Sequence, residues 1–503
     1  MTRRLFSITV IAIGFSIVGQ SGSASVRLPA LLSDHLVLQK GPQTAIWGTA
    51  NPNESVRVTL GNIQKQCIAK SDGRWQVTLD LTHSASGPFE LIIEGENRLV
   101  ISDVIVGEVW LASGQSNMAF PLKGALTGKK DAEATADPDI PQIREFRVPP
   151  RESDTPLEEC EGCWVTGKPD TSLNFSAVAY YFASGIQKKY SVPMGIINAS
   201  CNGTPVEAWL SKEGRAADPE LSRYCEAQLE RVAEAIAIKT KKWRGCDAPT
   251  ALYNAMIYPI SQMAIRGFIW YQGENNLGGA IRYRRSFPIL IDDWRRTWNN
   301  HELPFYFCQL PDYKEKTPDI IPSGLAEMRE AQDQGLKLSN TGRAVLIDTG
   351  EADNIHPPNK KDPGERLARI ALSNTYKIPV PHESPRYDSM RIEDGRVRIF
   401  FKGNPRLAAH TLPTIYRSGG TTHPLVRNSP DSQLEGFIIC GEDRTWKWAK
   451  AKIDDTSVIV WSPEVPHPVA VRYAWANNPT INLYDESGLP AAPFRTDSFP
   501  LSL

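Results

Sequence analysis

Five short apolar runs, VIVGEVWLAS (104–113), MGIINAS (194–200), GFIWYQ (267–272), FYFCQL (305–310) and AVLIDTG (344–350), are separated by amphipathic stretches at 176–189, 253–265, 282–298, 325–334 and 363–376. A strand that is apolar throughout needs cover on both faces. An amphipathic helix after each strand supplies that cover and returns the chain for a parallel pairing. The alternation therefore predicts an α/β unit over 104–387, a mostly parallel sheet between two layers of helices. The flanks follow another pattern. Over 25–103, LVLQKG, TAIWGTA, SVRVTLG, WQVTLDL and FELIIEG are β-rich runs cut by Gly, Pro, Asn and Ser turns, which predicts a β-sandwich. Over 388–503 the β pattern returns in RVRIFFKG, GFIICG, VIVWSP and VAVRYAW. That region reads as a second β-rich domain, or as a β insertion whose tail packs back on the α/β unit.

Three units suit a chain of 503 residues, which is too long for one core. With 56 basic and 57 acidic side chains the formal net charge is −1, so the surface exerts no long-range pull on a phosphate backbone. Nucleic acid is excluded as an expected partner. Residues 1–24 read as a signal peptide: Arg3 and Arg4 begin it, an apolar stretch follows from Leu5 to Val18, and small Gly22 and Ala24 suit cleavage. The apolar stretch falls short of the ~18–20 residues of a spanning helix, and no later one is long and apolar enough. A secreted or periplasmic protein with no membrane span after cleavage is expected. Of the eight cysteines, Cys160 and Cys163 have the spacing of half a zinc knuckle. No second such pair accompanies them, so the expectation is a local disulfide or two ordinary thiols, and no metal.

In a parallel sheet, ligands bind beyond the carboxyl ends of the strands. Four polar, Gly-containing or acid-bearing segments follow the predicted strands. They are Gly114-Gln115-Ser116-Asn117, Cys201-Asn202-Gly203-Thr204, Gln272-Gly273-Glu274-Asn275 and Asp353-Asn354-Ile355-His356. Each alone reads as a turn, a cap or a loop hydrogen bonder. Together on one edge they fit acyl transfer. Ser116 supplies a nucleophile, His356 a base to take its proton, and Asp353 a carboxylate to orient the imidazole. The Ser116 N–H, the Gly203 N–H and the Gln272 side-chain amide are the candidate oxyanion donors. The spacing Gly114-x-Ser116-x-Met118 lacks the second glycine of an α/β-hydrolase elbow, and Asp353 and His356 share one loop.

The blocks GEVWLASGQSNMAF, NGTPVEAW, GFIWYQGENN and DNIHPPNK resemble those of the sialate O-acetylesterase family within the SGNH hydrolases. LPALLSDHLVLQKG and AVRYAWANNPTINLYDESGLPAAPFRTD extend the resemblance to both flanks. It implies a flavodoxin-like catalytic sheet and cofactor-free hydrolysis of acetyl esters on sugars. It carries the nucleophile to Ser116, the base to His356 and the acid to Asp353, with Glu274 of the Q-G-E block as an alternative acid. Acetylated carbohydrate is the implied substrate: an O-acetylated sialic acid, or acetylated xylan or xyloglucan. A carbohydrate-binding protein that has lost activity is the reading from another class.

Overall fold

The computed structural model describes residues 26–133, 142–237, 245–409, 415–418, 421–424 and 433–501; the predicted signal at 1–24 lies outside the described residues. The central sheet is built from β1 (Arg98–Gly114), β2 (Ile143–Arg147), β3 (Trp164–Thr166), β4 (Met194–Ser200), β5 (Gly267–Tyr271), β6 (Phe305–Cys308) and β7 (Thr341–Ala344). Across the sheet they run β7-β6-β5-β1-β4-β2-β3, and every pair is parallel except β2 with β3. Strands β4, β5 and β6 are buried at every position. Burial on both faces is why they read as unbroken apolar runs.

Helix α1 (Ala177–Gln187) leads into β4, α2 (Ala280–Thr297) joins β5 to β6, α3 (Gly324–Gln332) joins β6 to β7, and α4 (Lys361–Asn374) follows β7. From β1 the chain steps one way along the sheet to β4, then crosses to β5, β6 and β7 on the other side. Right-handed crossovers that run in opposite directions put their helices on opposite faces. Helix α4 packs against α1, and α3 against α2. The strand order reverses at β1, so the crevice of the fold opens at the carboxyl end of that strand.

Four features depart from the sequence reading. The predicted helix at 253–265 is a π turn, Tyr253–Ile257, followed by a 3-10 turn, Tyr258–Ile260, because Pro259 has no N–H to carry a helix through. An unforeseen helix spans Pro219–Ala237. Asp218 starts it by accepting the Leu221 and Glu220 N–H groups on Oδ1, with Pro219 in the first turn, where its missing N–H costs nothing. The last sheet strand ends at Ala344, so AVLIDTG mostly lies beyond the ladder; Val345 and Ile347 are buried instead among apolar residues of the C-terminal β region. Finally, no linker separates the first β region from the α/β unit. Strand β1 starts among antiparallel partners, pairing with Phe89–Glu94, and continues unbroken into the parallel sheet. A left-handed residue, Asp103 (φ 55°), marks the join, where fully buried Arg144 donates to its carboxylate at 2.9 Å.

The N-terminal region adds the antiparallel strands Ser55–Leu60 and Ile63–Ile68 beside Phe89–Glu94, and a pair formed by Thr44–Thr49 and Arg74–Leu79. Beyond α4, the described residues form a five-stranded and a four-stranded antiparallel sheet with smaller pairs. Fully buried Arg329 on α3 ties this last region to the core. It donates to the carbonyls of Leu310 and Pro311 on one side and of Ala476 and Asn477 on the other.

Candidate active site

Strand β1 ends in a turn that only glycine can make. Gly114 has φ +134°, and a Cβ there would lie 2.1 Å from the Tyr271 carbonyl oxygen on β5. The Gln115 N–H then donates to that same carbonyl at 3.0 Å, and the chain enters a single helical turn, Ser116–Ala119. Ser116 is thereby held half-buried at the switch point. Gly114→Ala forces the two strand ends apart or the turn open, and a loss of about 3 kcal/mol in unfolding free energy is expected. A urea melt followed by tryptophan fluorescence measures it.

From the far edge of the sheet, the loop after β7 brings His356 to this turn. Ser116 Oγ and His356 Nε2 are 2.7 Å apart. The residues are 240 positions apart in sequence, and the sheet alone brings them together. The His356 backbone N–H donates to Asn354 Oδ1 at 2.9 Å, and Asn354 in turn donates to buried Glu351 at 2.9 Å. Asp353 lies on the same loop with its side chain exposed. The imidazole pKa is pushed below its ordinary value, first by burial and then by the nearby Lys360 ammonium.

Asn117, unassigned in the sequence reading, is the hub of the site. Its fully buried amide donates to Glu274 Oε1 at 2.5 Å and to the Ile355 carbonyl at 3.1 Å, and it accepts from Lys360 Nζ at 2.6 Å. One side chain therefore joins the residue after Ser116, the residue before His356, and the Q-G-E loop. Glu274 is turned to Asn117, so its place is in bracing the serine turn. Burial raises its pKa. Lys360 is fully buried, its ammonium 4.8 Å from the centre of the Phe120 ring, and burial pushes its pKa down to about 7. In the sequence it stands next to Lys361 in a polar stretch and reads as a surface lysine.

Gln272 departs from its expected role. Its amide donates to the Thr204 carbonyl at 3.0 Å and to Asn276 Oδ1 at 2.8 Å, while its own oxygen accepts from Tyr283 at 3.0 Å. Both amide hydrogens are engaged inside the protein and the side chain is fully buried, so it has no donor left for a substrate oxygen. Gln272 instead fastens the loop after β4 to the loop after β5. Asn276 completes that fastening, accepting from Val206 N–H and donating to Glu207, each at 2.9 Å. Gly203 holds a left-handed φ of 65° at the start of the loop so fixed. Among the described residues no group of three or more His, Cys, Asp or Glu side chains is arranged to hold a metal ion, and all eight cysteines are free thiols.

A doubly covered parallel sheet with serine and histidine in contact at its switch point defines the class: an α/β esterase. Comparison with known proteins gives the family. The chain belongs to the carbohydrate esterases described as sialic acid-specific acetylesterase, which its residues 106–373 match. It is 29% identical to the human sialate O-acetylesterase, covering 94% of this chain and 93% of that one. It is 27% identical to the mouse enzyme, with 95% of each chain covered. Its structure is similar to a crystal structure of a novel carbohydrate acetylesterase from Xanthomonas citri, with a TM-score of 0.81 and 33% identity over 94% of this chain and 100% of that one. The protein is a carbohydrate esterase.

Proposed function

We propose that this enzyme removes O-acetyl groups from sugar hydroxyls by a serine mechanism centred on Ser116 and His356. The 2.7 Å contact between the two side chains carries the reading. Ser116 Oγ attacks the acetyl carbonyl while His356 Nε2 takes its proton. The tetrahedral intermediate collapses, the C–O bond to the sugar breaks, and the imidazolium returns the proton to the leaving sugar oxygen. Water, activated by the same imidazole, then releases acetate from the serine. The backbone N–H groups of Ser116 and Gly203 are the proposed oxyanion donors, without Gln272. Asp353 is the proposed carboxylate partner of His356, and the enzyme is proposed to be exported after loss of residues 1–24. The test is acetate release from a panel of O-acetylated sialosides, xylan and xyloglucan oligosaccharides. No release from any of them, with p-nitrophenyl acetate still hydrolysed, would remove sugar acetates as the substrate.

The pH profile follows from the same proton transfer. His356 works as a base only when neutral, so kcat/KM falls on the acid side as the imidazole gains its proton. Because the folded pKa is depressed, the inflection is expected below the ordinary histidine value of ~6.5. Lys360→Met removes the neighbouring cation and should move the inflection upward, with burial still holding it under the ordinary value. A profile of kcat/KM for both proteins measures this, and an inflection unmoved or lowered in Lys360→Met contradicts it.

A further inference from the structure

The loop after β6 runs from the histidine loop to a cavity beside the C-terminal β region. Lys314 sits on it with a left-handed φ of 77°, unusual for a side chain of this kind. Its backbone is held at both ends. The N–H donates to the Ala352 carbonyl, one residue before Asp353, at 2.9 Å. The carbonyl accepts from Asn478 Nδ2 at 2.7 Å. Strained backbone held from two sides is characteristic of functional loops. One side of this residue is the histidine loop. The other is a cavity of about 770 Å³ between residues 314–321 and the C-terminal β region.

The cavity lining has the chemistry of a sugar subsite. Trp448, 50% exposed, stands at it with its indole N–H fixed to the Pro318 carbonyl at 2.8 Å, and Trp475 also lines it. A fixed, exposed indole such as Trp448 offers a flat apolar face to the C–H face of a pyranose ring. Two buried acceptor oxygens in the lining, Asn478 Oδ1 and Glu435 Oε2, have no hydrogen-bond partner, and Asn478 is only 7% exposed. Buried acceptors without donors are costly, so the ligand that suits them brings hydroxyl groups. Lys314 and Lys316 line the cavity beside Glu315, Asp319 and Glu435, so the lining offers a carboxylate no excess of positive charge.

We propose that this cavity is a subsite for the neutral, hydroxyl-rich part of an oligosaccharide whose acetylated residue lies at Ser116. The proposal rests on the carbohydrate acetylesterase reading and deepens it, favouring neutral glycan chains over acidic sugars. The volume lies in the ~300–1,000 Å³ range of small-molecule sites. The subsite acts on binding of the extended chain and leaves the acetyl chemistry untouched.

Three substrates test it: an acetylated xylo-oligosaccharide, an O-acetylated sialoside and p-nitrophenyl acetate, each with wild type, Trp448→Ala and Glu435→Gln. Trp448→Ala should raise KM for the xylo-oligosaccharide about tenfold, the loss of one well-formed ring contact, with kcat unchanged. Glu435→Gln should raise it in the same direction. Turnover of p-nitrophenyl acetate should be unaltered in both. Unchanged KM on the xylo-oligosaccharide overturns the proposal, as does an equal loss on p-nitrophenyl acetate or an effect confined to the sialoside. Calorimetry with the unacetylated xylo-oligosaccharide separates this subsite from the esterase reading, because it needs no catalysis. Binding to wild type that is weakened in Trp448→Ala supports the subsite, and no binding to wild type overturns it even if sugar acetates are hydrolysed.

Discussion

Ser116→Ala is expected to lower kcat on an acetylated sugar by about three orders of magnitude or more, with His356→Ala costing a similar amount. The double variant should lose little further, because a nucleophile without its base and a base without its nucleophile fail at the same step. The geometry sets this expectation: the 2.7 Å contact places the imidazole to take the serine proton. Asp353→Asn should cost less than either, since its side chain is exposed and water screens an exposed charge. Steady-state kinetics of acetate release measure all four variants. Near-normal kcat in Ser116→Ala would end the serine mechanism.

Asn117→Ala should give the second large effect, on rate and stability together. The asparagine fixes the turn that carries Ser116 and the carbonyl just before His356. Without it Ser116 and His356 lose a shared anchor, and misplacement on the scale of an ångström is enough to lower kcat about a hundredfold. The substitution also removes the hydrogen bonds of Lys360 and of Glu274 to this side chain. Stripping a partner from buried ionisable groups should lower unfolding free energy by about 3 kcal/mol. Asn117→Asp keeps the shape and should be milder toward Lys360, while setting a carboxylate against Glu274. Urea midpoints and kcat, measured on the same preparations, check both parts. A full rate in Asn117→Ala would mean that the site is held together elsewhere.

What the sequence shows of this site depends on whether a residue's role is local. That Ser116 and His356 would meet could be expected from the sequence because each lies just past a predicted strand of a parallel sheet, on whose carboxyl edge such segments converge. The central strands were legible for a related reason, burial on both faces leaving unbroken apolar runs at β4 and β5. Lys360 could not be found that way. A lysine in NKKD reads as solvated, and only the packing of Asn117, Phe120 and Tyr271 about its ammonium makes it a buried cation. Gln272 was misassigned because position after a strand fixes where a side chain starts and not which partners it meets; Thr204 and Asn276 take its amide. The helix at Pro219–Ala237 was missed because few of its side chains are buried, Leu221 and Cys225 among them, so its apolar stripe is faint beside its charges. The join at 103 and 104 drew a boundary by change of pattern, where the backbone is one continuous strand.

If acetate leaves the sugar through Ser116, a serine-directed reagent must modify that residue and stop turnover. Treating the enzyme with a fluorophosphonate, then digesting it for mass spectrometry while following acetate release from an acetylated oligosaccharide, tests it most directly. One adduct is expected, on the peptide containing Ser116, with activity falling in proportion to its occupancy and no adduct there in His356→Ala on the same timescale. Complete modification of Ser116 with acetate release undiminished, or loss of activity tracking an adduct on another residue, would contradict it.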